Sequence, residues 1–341
     1  MPTPPAASNR STAPRRSIAE LMPSERVSGV FAITNAQLGR TRQDKPFLKV
    51  MVSDKTGELT ARMWSIDEAT FRGLPTDGFA YIEGETQPYQ GELQLIIQAI
   101  SPAEPTAEEM RDLLPCSKRD PGEMFAEVTA LLETLEHPGV RSLAKLYLDD
   151  ARLMEEFRKA PAAKSMHHAY LGGLLEHTLT LMKLADQVCP VYPKINRDLV
   201  LMGLFLHDLG KTRELVYDRA FSYSDRGELI GHIVEGALML QEKVHTLMRE
   251  HGVRLPNGTL TVLQHIILSH HGVPEYGAAK IPATPEAILV SMLDNLDAKT
   301  TMSLAAARPD RVASFDAGGN FTEKQWALDT KLFKPDVLKG A

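Results

Sequence analysis

Two hydrophobic rhythms divide the chain. Between residues 26 and 100, apolar and polar side chains alternate in short runs at 27–34, 47–53, 59–64, 79–85 and 93–100. That two-residue period, with its Val, Ile, Phe and Tyr content, predicts half-buried strands. Asp54-Lys55-Thr56-Gly57 parts the second run from the third, and Gln90-Gly91 parts the fourth from the fifth; both are turn signals. A short helical stretch at 66–71 follows the third run. From residue 122 the spacing lengthens to three and four, and helices are predicted at 124–135, 140–158, 166–188, 196–209, 229–250, 259–271 and 284–306. Pro138-Gly139 ends the first of them. No internal repeat is visible.

Five strands with a helix after the third match an OB-fold β-barrel, placed here at 18–102. An all-α domain at 122–313 completes a multidomain α and β architecture. Residues 103–121, rich in Pro, Glu and Asp, read as a linker with one helical turn near 108–113. Residues 1–17 carry Arg10, Arg15 and Arg16 among Pro, Ala, Ser and Thr, with no apolar period, and predict a disordered tail. The C-terminal segment, 314–341, is expected to pack on the helical domain through residues such as Trp326 and Phe333.

Composition narrows the setting. A hydrophobic fraction of 43% and a charged fraction of 24% describe an ordinary globular protein. Cys116 and Cys189 lie far apart, which excludes a disulfide framework or a zinc knuckle and points to a reducing, cytoplasmic compartment. The apolar run at 200–206 is too short to span a bilayer, so no membrane association is expected. A net charge of -6 argues mildly against a large nucleic-acid footprint, but says nothing of a local groove.

The candidate chemistry lies in the helical part. His177, His207-Asp208, His232, His270-His271 and Asp294 form a series of nitrogen and oxygen donors suited to hard or borderline divalent cations. A single ion takes about six ligands or fewer, so seven side chains suggest two ions sharing a carboxylate. His207-Asp208 ends an apolar run, where adjacent side chains can converge as the helix stops. Asp297, three residues beyond Asp294, can orient a ligating histidine, remain a solvated carboxylate or pair with Lys299.

This ordered series is similar to the HD-domain superfamily of metal-dependent phosphohydrolases in its two-metal form. The segments His207-Asp208-Leu209-Gly210-Lys211, Ser269-His270-His271-Gly272 and Asp294-Asn295-Leu296-Asp297-Ala298-Lys299 also resemble the YhaM family. That family joins an N-terminal OB-fold to an HD domain, and its members are 3′→5′ exoribonucleases. The similarity runs over nearly the whole chain from residue 20 and includes Met166-His167-His168-Ala169-Tyr170.

The resemblance implies that His177, His207, Asp208 and Asp294 hold one metal. His232, His270 and His271 would hold the second, with Asp208 bridging and serving as the central catalytic residue. Two divalent cations are expected, Mn²⁺ foremost, with Fe, Co or Ni as alternatives. The Gly-Tyr-Pro motif of the superfamily's cyclic-dinucleotide phosphodiesterases is replaced by Gly272-Val273-Pro274, which weakens that alternative. Lys211 is expected to neutralise a phosphate oxygen.

Single-stranded RNA is the expected partner and substrate, with single-stranded DNA as a second candidate. Arg40, Arg42, Lys45 and Phe47, in and after the first inter-strand loop, join charge to an aromatic ring in the manner of a single-strand groove. His167 and His168 are further candidates for contact with substrate. Trp64, Tyr81 and Tyr89 are candidate stacking surfaces, with a place in the barrel core preferred for Trp64. A homo-oligomer is compatible with the sequence. The competing readings are a nucleotide or cyclic-dinucleotide phosphohydrolase and a single-strand-binding protein without catalysis.

Overall fold

The computed structural model describes residues 15–41, 43–89, 92–114, 116–163, 170–217, 222–308 and 319–338. Strands β1 (Arg26–Arg40), β2 (Pro46–Asp54), β3 (Gly57–Trp64), β4 (Gly78–Tyr89) and β5 (Glu92–Pro102) close a barrel in the order β1-β2-β3-β5-β4. β4 returns to pair with β1, and β3 meets β5 in parallel. Helix α1 (Glu68–Gly73), capped by Asp67, lies between β3 and β4. This order is the OB-fold. The strands overrun their predicted limits because barrel closure pairs residues whose own alternation is weak. Alternate positions such as Phe31, Ile33, Leu48, Val50, Val52, Ala61 and Ile82 fill the interior.

The linker is a wedge. Helix α2 (Ala107–Leu113) opens with a capping box between Thr106 and Glu109. Leu113 and Leu114 pack against Val30, Ala32 and Phe79 on the barrel exterior, with Leu171 and Tyr217 of the helical domain at the edge of the same cluster. Ser117 donates its N–H to the Leu171 carbonyl (2.9 Å) and its hydroxyl to Glu176 (2.6 Å). Arg15, expected in a disordered tail, instead bonds Asp54 at 2.7 Å and lies over the Phe31 ring.

The helical domain comprises α3 (Pro121–Glu133), α4 (Pro138–Leu148), α5 (Ala151–Lys159), α6 (Gly173–Val188), α7 (Arg197–Leu206), α8 (Lys211–Glu214), the short strands β6 (Leu215–Val216) and β7 (Ser222–Tyr223), α9 (Asp225–Leu229), α10 (Gly231–His251), α11 (Thr259–Ser269) and α12 (Pro285–Ala307). The single helix predicted at 140–158 is two. Asp150 leaves helical geometry and caps the Leu153 N–H, while Lys243 pairs with its carboxylate. The helix predicted from 166 starts at Gly173, after a left-handed Gly172, and His167 and His168 lie outside the described residues. Helix α7 is the hub. Residues 200–206 are all buried, the mark of a helix enclosed on every side. Among the described residues no helix is long and apolar enough to cross a membrane.

Candidate metal centre

Four helices and one turn deliver the donors. His177 projects from α6, His207 caps α7 with Asp208 next to it, His232 lies in the first turn of α10, His270-His271 close α11, and Asp294 comes from α12. Gly210 sets the approach of the His-Asp turn to α10. A Cβ on it would stand 2.1 Å from the His232 carbonyl oxygen and 2.8 Å from the Gly236 nitrogen, so only glycine allows this contact. His177, His207, Asp208 and His270 are each exposed by 3% or less.

The donors sort into two groups. Ligand atoms of Asp208, His232, His270 and His271 all lie within 4.8 Å of one another, as do those of His177, His207 and Asp294. Asp208 faces both. Its Oδ1 is 3.4 Å from His232 Nε2 and 3.5 Å from His270 Nε2; its Oδ2 is 3.5 Å from His207 Nε2 and 3.9 Å from His177 Nε2. Among the described residues, seven buried side-chain polar atoms lack a hydrogen-bond partner, and five are His207 Nε2, Asp208 Oδ1, His232 Nε2, His270 Nε2 and His271 Nδ1. Each such atom costs about 1–3 kcal/mol, and cations between these donors would satisfy all five. The donor set therefore fits divalent metal.

The opposite ring nitrogens are fixed from behind. His207 Nδ1 and His270 Nδ1 each meet a backbone carbonyl at 2.7 Å, those of Leu204 and Ile267. His177 Nδ1 meets Asp297 at 2.7 Å, and His232 Nδ1 meets Glu214 at 2.9 Å. Each contact fixes the ring so that Nε2 faces the other donors.

The HD-domain family profile matches residues 174–299, a span that contains every one of these donors. The 3′-5′ exoribonuclease YhaM of Shouchella clausii (strain KSM-K16) is 32% identical over 320 residues, covering 92% of this chain and 95% of the relative. That of Geobacillus sp. (strain WCH70) is 31% identical over 317 residues, covering 93% and 94%. The chain belongs to the YhaM family. Among solved structures, the second OB-fold domain of replication protein A from Methanococcus maripaludis aligns with 27% of this chain and 96% of that one, at 19% identity and a TM-score of 0.21.

In this YhaM-family chain the electrostatics favour cation capture. Burial holds His207 and His270 below the ordinary imidazole range, and burial together with His270 depresses His271 to about 4. Neutral imidazoles keep their lone pairs for metal. Burial opposes ionisation of Asp208, but Lys211 and His207 outweigh it and keep the carboxyl far below its usual range. Burial also opposes a charged His177, yet hydrogen bonds to Asp294 and Asp297 hold it up to about 9. A cation held at Nε2 would take the place of that proton, which would link metal uptake to proton release.

Lys211 is engaged within the site. Its ammonium lies 2.6 Å from Asp208 Oδ2, and Asp208 keeps it charged against the effect of burial. Asp297 is buried, with its carboxylate 2.7 Å from His177 Nδ1, and is not a solvated carboxylate. Glu214 escaped sequence reasoning. It also accepts the His232 backbone N–H at 2.9 Å, and its position seven residues after His207 carried no periodic signal.

The barrel holds the remaining candidates. Arg40 pairs with Asp44 at 3.0 Å, Lys45 is exposed, and Arg42 lies outside the described residues. Phe47 stacks obliquely on Trp64 with centroids 5.3 Å apart. Trp64 is not a core residue: it is 47% exposed, because its register opposite Phe47 puts it on the outer face of β3. Period-two alternation locates a face but does not say which face is inside.

Proposed function

We propose that the chain is a metal-dependent 3′→5′ exoribonuclease that hydrolyses single-stranded RNA. The observation that carries this reading is Asp208, whose two oxygens face two separate groups of histidines at 3.4–3.9 Å. In this reading His177, His207, Asp208 and Asp294 would hold one cation, and His232, His270 and His271, together with Asp208, would hold a second. Manganese is the first candidate for both. Such cations lower the pKa of a bound water towards neutrality and relieve charge on the phosphoryl oxygens.

The chain's own residues supply the frame. Asp297 and Glu214 hold His177 and His232 in one tautomer, so the donors meet their ligand without reorganising. Lys211 keeps positive charge beside Asp208, where the scissile phosphate would arrive. The apolar residues of α7 exclude bulk water from behind the site and strengthen each charge interaction within it. The barrel, with Lys45, Phe47 and Trp64 on its outer surface, is the strand-binding element. Free Cys116 and Cys189 fit a reducing cytoplasm.

The test is incubation of the protein and Mn²⁺ with 5′-labelled single-stranded RNA. Stepwise shortening from the 3′ end with release of mononucleotides is expected, and a matched DNA strand measures sugar preference. Hydrolysis confined to free nucleotides or cyclic dinucleotides would replace this reading with the phosphohydrolase one. Binding without cleavage would leave a strand-binding protein.

A further inference from the structure

The barrel and the helical domain are joined over a short length of chain. On the barrel side, α2 is tied to the turn between β2 and β3. Lys55 donates its N–H to the Asp112 carbonyl at 3.2 Å, and its ammonium pairs with the Asp112 carboxylate at 2.5 Å. Arg15 donates to the same carbonyl at 3.0 Å. Leu113 and Leu114 then bury their side chains against Val30, Ala32 and Phe79. Ser117, three residues after Leu114, is already bonded to the helical domain. Three residues reach about 10 Å at full extension, so holding Ser117 also holds the barrel close.

Ser117 is held by α6 and the residues that lead into it. Cys116 and Leu171 form a parallel β-bridge, and Gly172, in the left-handed region at φ 81°, turns the chain from that bridge into the helix. One turn later the contacts converge on Glu176. Its Oε2 accepts the Ser117 hydroxyl at 2.6 Å and the Tyr170 hydroxyl at 3.0 Å. Burial and the Glu176 carboxylate push the pKa of the Tyr170 hydroxyl up, so it remains a donor, and the charge of Asp297 adds to that effect. Glu176 is also the residue before His177, whose Nδ1 meets Asp297 at 2.7 Å. One carboxylate therefore has the linker on one side and the helix of the metal centre on the other.

The chemistry gives this contact a function. When one domain holds a strand and another cleaves it, the phosphodiester must arrive in a narrow range of positions. A misplacement of about 1 Å caused far from the reacting atoms can cost about a hundredfold in rate. We propose that Glu176 is a positioning residue for the reaction: it locks the linker, and with it the barrel, onto the helix that carries His177, so that a strand held on the barrel presents its 3′ end to the metal centre in a fixed register. In this role Glu176 touches neither metal nor RNA. The proposal rests on the reading that the chain shortens single-stranded RNA, and it confines the benefit of Glu176 to strands long enough to engage both domains.

The test compares substrates of different length. Glu176→Gln keeps the size of the side chain and removes its charge, Ser117→Ala removes one donor from outside α6, and Ser117→Thr keeps that donor. Each full-length protein, with Mn²⁺, is given 5′-labelled single-stranded RNA in a series of lengths, and the activated diester bis(p-nitrophenyl) phosphate, which reaches the metal centre without the barrel. The unaltered protein should act more efficiently on long strands than on short ones. Glu176→Gln and Ser117→Ala should lose about tenfold in kcat/KM on the longest strands, the scale of one hydrogen bond to a charged group. Both should keep the unaltered rate on the diester, and Ser117→Thr should recover the rate on long RNA. An equal loss on every substrate would show that Glu176 acts on the metal centre itself and would overturn the proposal, as would an unchanged length dependence in both variants. In either case, 3′ shortening by the unaltered protein leaves the exonuclease reading standing. If the unaltered protein shortens no RNA, both fall.

Discussion

At the centre of the helical domain, His177, His207, Asp208 and His270 are buried and their polar atoms point at one another; on the barrel, Trp64, Tyr89 and Lys45 stand in solvent. The two regions gather chemistry under opposite energetic rules. Inside, a polar atom without a partner is costly, so five of them aimed into one space suit a bound cation. Outside, water satisfies every polar group at no cost, and a binding face has to be argued from ring geometry and unpaired charge. One region should therefore respond to metal and the other to salt, and mutations can test whether they separate in this way.

The largest effect is expected at Asp208. Asp208→Ala should reduce RNA hydrolysis by about a thousandfold or more, the scale seen when a central member of a catalytic group is removed. Its single-strand affinity in chelator should match the unaltered protein. A parallel loss of binding would erase the distinction between the two regions.

Metal should stabilise the fold through the helical domain alone. At free Mn²⁺ about a hundred times its Kd, linkage adds ~2.7 kcal/mol, visible as a rise in Tm that Asp208→Ala abolishes and Trp64→Ala leaves intact. Gly210→Ala comes next. Its Cβ would collide with the His232 carbonyl, and overpacking of this kind costs about 1–3 kcal/mol. Denaturant unfolding should show that loss, accompanied by weaker metal binding, because the turn and α10 must move apart.

The smallest effect concerns Glu235, buried on α10 between Arg213 and Arg226 at 2.8 and 2.7 Å. Burial opposes its ionisation, but hydrogen bonds from the two arginines hold its carboxyl below the usual range. A carboxyl lowered on folding contributes stability above its unfolded value, about 4.3, and loses it as pH falls through the folded value. Glu235→Gln should therefore lower Tm at neutral pH, and the difference from the unaltered protein should shrink on acidification. A difference constant with pH would show that the ion pairs contribute nothing.

The same contrast explains what the sequence revealed. The seven donors were visible because only a few residue types ligate metal, and their order along the chain survives any error in helix limits. Gly210-Lys211 and Gly272 framed them further. Glu214 was hidden because a carboxylate that orients a histidine has no fixed spacing from it; the β6–β7 excursion separates the two in sequence while the fold returns them to 2.9 Å. Trp64 was misplaced for a different reason. A strand's alternation is identical for the inward and outward faces, and large aromatics usually face in. The break between α4 and α5 was missed because Asp149-Asp150 reads as an exposed helical turn until Lys243 and the Leu153 N–H are seen to hold Asp150 as a cap.

The central claim is that Asp208 joins two metal positions, and metal content measures it directly. Purified protein loaded with Mn²⁺ and freed of excess metal should carry about two equivalents per chain by elemental analysis. His271→Ala should carry about one, and Asp208→Ala should retain less than one while remaining folded. A single equivalent in the unaltered protein, or two in Asp208→Ala, would contradict the account.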